Sequence, residues 1–217
     1  MSVPPPAGGF DPFAPATEVQ QEEAGQTLRR VFDVLAGILE LAHSWTGEVT
    51  LESGVFYAGV ARPECDIRIA AHVWNHPVFR WRTLIHEALH KFSPPFTRRE
   101  YEQFEGWEEG VVEQLQRLLR RGALDKIGVA AGVPEDALAG AEADHRYNVY
   151  IAALESLRAL WGEEPEWFYR RLLEIPQPLR FARLMSEADA LAEPERTTFR
   201  RATLIAHARL SRSSHGA

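Results

Sequence analysis

The run His86-Glu87-Ala88-Leu89-His90 constrains this chain more than any other feature of it. It lies inside an apolar pattern of helical period. Residues four apart on a helix sit about one turn apart on the same face, so both imidazoles can reach one metal ion. The glutamate between them can then act on a metal-bound water. With His86 set at zero and an advance of about 100° per residue, Leu84, Ile85, Ala88, Leu89 and Phe92 fall on one broad arc. His86, Glu87 and His90 fall on the opposite arc. A helix that buries one side and presents ligands on the other is what a scaffolded zinc site requires. The competing reading is a pair of surface histidines on an ordinary amphipathic helix.

A catalytic zinc usually has three protein ligands and one open position, so a third ligand is expected from a separate segment. Glu105-Gly106-Trp107-Glu108-Glu109-Gly110-Val111-Val112-Glu113 offers candidates, and eighteen residues separate His90 from Glu109. On this second helix Val111, Val112, Leu115, Leu118 and Leu119 form the apolar arc. Glu109 and Glu113 lie four apart on the other side, as a ligand and its support would. Gly110 would let another backbone or side chain approach closely. Without the two histidines, the same stretch reads as a solvated acidic face, with Glu100, Glu102, Glu105 and Glu108 as part of it.

Together the two segments resemble the gluzincin metallopeptidases, the thermolysin and aminopeptidase N-like clan. In that clan H-E-x-x-H is followed, at about this distance, by a helical glutamate, often as E-G-x-x-E or E-x-x-x-D. The resemblance implies His86 and His90 as zinc ligands, Glu87 as general base and Glu109 as third ligand. It implies Glu113 as the outer acid that orients a zinc histidine; such carboxylates fix tautomer and ring direction. The cofactor would be Zn2+, the substrate a peptide or protein, and the reaction peptide-bond hydrolysis. The fold implied is zincin-like, of class α+β. A small mixed or antiparallel sheet packs on a zinc-bearing helix pair, and a mostly helical C-terminal half follows. The match covers roughly residues 48 to 160, with its motif content confined to 86–113.

Composition agrees with a small enzyme. The 217 residues can bury one substantial core. The net charge of −7 argues against a nucleic-acid-binding surface, which would be basic. No apolar run approaches the length of a membrane helix, and Met1-Ser2-Val3-Pro4-Pro5-Pro6 lacks the features of a signal peptide. Cys65 is the only cysteine, so no intrachain disulfide can form. These points favour a cytoplasmic location. Cys65 reads as a small buried residue in a strand, with occupation of the open zinc position as the other option.

Residues 1–17 are rich in proline and expected to be irregular. Residues 18–210 are expected to form one zincin-like catalytic domain. Within it, 18–121 would supply the sheet and metal helices and 133–210 a helical subdomain, leaving 211–217 as a disordered tail. A helical pattern runs through 18–43. Short strands are expected at 48–51, 55–60 and 66–70. Asn75-His76-Pro77 opens the metal helix. The strand just before that helix resembles the edge along which gluzincins bind extended peptide, a general way to hold one. His72 and His76 are close enough in sequence to line a cleft. A long helical pattern over 141–161 carries Tyr147, Tyr150, Ile151, Leu154, Leu157 and Leu160, and three further helices follow at 165–175, 178–192 and 195–210.

Hydrolysis also needs a donor for the developing oxyanion. His145, Tyr147 and Tyr150 are the candidates by type. Tyr147 is preferred because it lies at the edge of its helix's apolar arc, whereas Tyr150 lies nearer the middle, where packing is the better account. Two rival readings remain. One is a catalytically idle zincin-like domain that binds a peptide or protein. The other is a helical interaction module in which the motif is coincidental.

Overall fold

Helix α1 (Glu18–Leu39) begins at Thr17, which forms a reciprocal capping box with Gln20 and satisfies amides that no helical carbonyl reaches. It ends at Glu40, a left-handed residue with φ 55°. The expected helix thus stops short of 43. The computed structural model describes residues 15–55, 57–61 and 66–213. The expectations for most of 1–17, for Phe56, for Cys65 and for 214–217 lie outside these. Buried Leu28, Val31, Phe32, Leu35 and Leu39 carry the apolar stripe of α1 into the core.

Three short strands follow. Strand β1 (Val49–Glu52) pairs parallel with β3 (Ile67–Ala70), and β2 (Gly59–Ala61) pairs antiparallel with β3. The sheet is therefore mixed, in the order β1-β3-β2. Ile67 and Ile69 alternate inward and are fully buried, the period-two pattern of a strand with one face on a core. The strand nearest in sequence to the helix of His86 and His90 is thus the central one, with both edges occupied. This corrects the expectation that it would be the free edge. The outer edge of β1 is closed by Gln21 of α1, whose amide bonds Val49 O and accepts from Leu51 N. Strand β2, on the other side of β3, lies beside the site, and the backbone of Ala61 hydrogen-bonds Glu87.

After a short helix α2 (Ala71–Trp74), helix α3 (Phe79–His90) carries the run His86-Glu87-Ala88-Leu89-His90 at its end. Its N-terminus is capped by the ring of His76, whose Nδ1 accepts from Val78 N at 3.2 Å and Phe79 N at 3.1 Å. Leu84, Ile85, Ala88, Leu89 and Phe92 are buried, as the helical arc predicts. Helix α4 (Arg98–Ile127) starts with a second capping box, Thr97 with Glu100, and ends at Gly128 with φ 83°. The rest of the chain is helical: a 3-10 turn (Ala130–Gly132), α5 (Asp136–Ala143), α6 (Asn148–Trp161), α7 (Pro165–Glu174), α8 (Gln177–Asp189) and α9 (Glu193–Ser213). The architecture is mixed α+β and mostly helical.

Helix α4 is the central element. Helices α1, α3, α6, α7 and α8 all pack on it. Its polar side is therefore not a solvated face: Glu108, Glu109, Glu113, Gln116 and Arg120 are all buried. Tyr150 of α6 lies across Gly106 and Gly110. A Cβ at Gly106 would fall 2.0 Å from the Tyr150 ring, and one at Gly110 would fall 2.8 Å from Tyr150 Cβ. Two glycines in mid-helix lower helix propensity, and here they admit the tyrosine. The long helix expected over 141–161 is broken, because α5 ends at Ala143 and α6 begins at Asn148. Tyr147 is therefore the residue that precedes α6, not one inside it. Helix α9 packs along α6 and continues to Ser213, so the tail expected to be irregular from Ser211 is helical over 211–213.

Candidate metal centre

Helices α3 and α4 cross so that His86 and His90 face Glu109. His86 Nε2 lies 3.0 Å from Glu109 Oε2, and His90 Nε2 lies 3.3 Å from Glu109 Oε1. The three ligating atoms lie within 4.8 Å of one another. Ligands about 2.0–2.1 Å from a tetrahedral zinc stand roughly 3.3 Å apart, so these atoms are already near the spacing an ion requires. His86, His90 and Glu109 can therefore hold a metal.

The other ring nitrogens are also engaged. His86 Nδ1 lies 3.1 Å from Glu113 Oε2, and His90 Nδ1 lies 3.1 Å from Glu108 Oε1. A proton on each Nδ1 leaves each Nε2 lone pair free for a metal, which is how an outer carboxylate selects the ligating tautomer. Glu113 is braced in turn by Arg82 and Arg117, both at 2.9 Å, and Glu108 by Arg180. Glu113 thus lies behind His86, on the ring nitrogen that does not face Glu109. Glu108, which reads as part of a solvated acidic face when the histidines are set aside, is fully buried against His90. Nothing in a run of acidic residues distinguishes an inward glutamate until the packing around α4 is known.

Tyr101 is a further residue that the sequence did not single out. Its hydroxyl donates to Glu109 Oε1 at 2.5 Å. Eight residues of straight helix rise about 12 Å, too far for this contact along the axis alone. Helix α4 is kinked at Phe104 (φ −124°, ψ 15°), and that bend sets Tyr101 back over Glu109. Irregularities of this kind carry no reliable sequence signal.

The ligands open into a cleft of about 790 Å³, in the range of small-molecule sites. Glu87, Tyr101, His145 and Tyr147 line it, with residues 57–61 leading into β2 forming one wall. Glu87 lies under that wall: a Cβ at Gly59 would come within 2.7 Å of Glu87 Cγ and 2.8 Å of Thr83 Cγ2. Gly59 is thus the residue that lets the strand close on α3. The Tyr147 hydroxyl donates to Glu105 Oε1 at 2.9 Å. Tyr150 does not line the cleft and instead packs edge-on to Trp107 in the core. His72 and His76 do not line it either.

The histidines and carboxylates of the site set one another's charge. Burial opposes a charge on His86, but the bonds to Glu109 and Glu113 override it and raise the ring to about 9. Burial likewise opposes charge on His90, and Glu109 and Glu108 raise it well above the ordinary imidazole value. Burial works to raise Glu109, yet the two histidines hold it well below the usual carboxylate range. Without metal, then, protons on the histidines neutralise the carboxylates. Burial raises Glu87, with His86 and His90 opposing; a base with a raised pKa is a better proton acceptor at neutral pH. Burial lowers His145 to about 4, with Glu113 opposing and Arg82, His86 and Arg117 adding to the effect. His145 is therefore neutral at pH 7.

A pH dependence follows. A metal must displace the proton that His86 holds up to about pH 9. Apparent zinc affinity is expected to rise at least about tenfold per pH unit from 6.5 towards 9. In the metal-free protein the sign is reversed. A raised imidazole pKa adds stability that is complete below 6.5 and is lost as pH rises through about 9. Chelator competition and thermal unfolding across this range measure the two effects. Zinc affinity that is flat or falls with pH would contradict the arrangement of protons.

Compared with known proteins, the chain matches no family model, no curated protein and no solved structure. Among the described residues no helix is long and apolar enough to cross a membrane.

Proposed function

We propose that the chain is a zinc-dependent peptidase of gluzincin-like type. The observation that carries the reading is the joint placement of His86, His90 and Glu109 around one point, with Glu87 in the same cleft beside an edge strand. A purely structural metal site closes its coordination and has no use for a buried carboxylate at an open cleft.

Zinc held there would polarise the scissile carbonyl and lower the pKa of water. The chain's own residues do the rest. An extended peptide lies along β2, which orients its backbone across the cleft. Glu87 accepts the proton of the attacking water and passes it to the leaving amine. The developing oxyanion needs a donor from the cleft wall. Tyr147 and His145 both line the cleft and Tyr101 joins them, while Tyr150 packs on Trp107 and does not line it.

The test is direct. The purified chain should carry about one zinc per molecule, as a His2Glu site does, and should cleave a mixed peptide library. Chelation should remove both, and added zinc should restore both. A protein that binds no zinc, or cleavage indifferent to chelation, would overturn the reading. Zinc bound without any cleavage would favour a peptide-binding module that has lost catalysis.

A further inference from the structure

We propose that Arg180, on α8, is a positioning residue of the metal centre: it holds Glu108 so that Glu108 fixes the ring of His90. The inference rests on the metal reading above and extends it to a part of the chain distant in sequence from the motif.

Glu108 has two oxygens and two partners. Oε1 lies 3.1 Å from His90 Nδ1, and Oε2 accepts from Arg180 Nη1. Both side chains of the ion pair are fully buried, with 0% exposure each. The guanidinium is itself locked. Its Nη2 donates to Ser93 Oγ at 3.1 Å, Ile175 O at 3.1 Å and Leu173 O at 3.3 Å. Ser93 follows α3, and Leu173 and Ile175 lie at the end of α7. The fork of Arg180 thus joins the exit of the metal helix, the α7–α8 junction and the carboxylate behind a ligand. A freely rotating carboxylate can swing away from an imidazole, whereas one held at both oxygens cannot. Outer contacts that orient a ligand in this way are worth a measurable part of metal affinity.

The two histidines differ in this respect. Glu113, behind His86, has two arginines, Arg82 from α3 and Arg117 from α4 itself. The arginine paired with Glu108, behind His90, is Arg180 of α8. Helix α8 is therefore part of what sets His90, and the metal half of the site is incomplete without it. Lysine does not substitute, because a single ammonium lacks the planar fork that reaches Glu108 and the three oxygens together.

The test measures zinc affinity by chelator competition, and the visible spectrum of the cobalt(II)-substituted protein. Arg180→Lys keeps the charge and loses the fork. Arg180→Met with Glu108→Gln removes both charges together, so neither is left buried alone. Each is expected to bind zinc roughly 10–100-fold more weakly, with a changed cobalt spectrum. A merely structural role would lower the melting temperature and leave the affinity of folded protein untouched. Folded variants with wild-type affinity and spectrum would overturn the proposal. Should both variants unfold, Ser93→Ala takes one contact from the guanidinium and no charge: weaker zinc binding supports the proposal, and unchanged binding overturns it. Zinc absent from the wild-type chain would overturn the metal reading and this inference together. Zinc on the wild type with unaltered variants overturns the role of Arg180 alone.

Discussion

Glu87→Gln is expected to slow peptide hydrolysis about 10²–10⁴-fold, the range for loss of a positioned general base, while one zinc remains bound. The substitution suits the site. Glu87 is buried under β2, and the space between α3 and Gly59 is filled by a side chain of this length. Glutamine occupies the same volume and keeps a polar oxygen there, but it cannot accept the proton. Its effect should therefore fall on turnover and not on metal content or folding. Metal analysis, thermal unfolding and kinetics on one verified substrate separate these. Full activity in a zinc-loaded Glu87→Gln protein would end the proposed mechanism and leave the metal centre standing.

Glu109→Ala is expected to have the largest effect on metal content. Both histidine Nε2 atoms converge on its carboxylate, and Tyr101 holds the same group. Its removal takes the proposed third ligand and leaves the two histidines without the carboxylate they face. His86→Ala and His90→Ala should act alike. Glu113→Ala should weaken zinc by roughly 10–100-fold, as loss of an orienting carboxylate does, and Glu108→Ala now belongs with it. Exposed Glu102, paired with Arg98 at 2.8 Å, is the matched control and should leave zinc content unchanged. Competition titrations give the order. If Glu113→Ala released the metal and Glu109→Ala did not, the ligand set would have to be reassigned one turn along α4.

Local pattern accounts for what could be read from the chain directly. His86, Glu87 and His90 share one face because a helix of 3.6 residues per turn puts them there, whatever surrounds it. Buried Leu84, Ile85, Ala88 and Leu89 share the other face for the same reason. The positions of Glu109 and Glu113 follow the same rule on α4, and proline at Pro165 marks a helix start. The small sheet was legible from its short runs of β-branched residues, although its pairing was not.

Long-range packing decided the remainder. The parallel pairing of β1 with β3 makes the strand before the motif central, and no periodicity within a strand states its neighbours. Five helices around α4 turn an acidic stretch inward, so Glu108 becomes a buried partner of His90 where amphipathic reasoning assumes solvent. The kink at Phe104 brings Tyr101 to Glu109, and the break before Asn148 places Tyr147 at a helix start. Arg180 reaches the site across 72 residues of sequence from Glu108. The sequence by itself determined which residues can share a helix face, because helical geometry is local. Only the tertiary structure decided which faces meet, because burial and ion pairing depend on the elements that close over them.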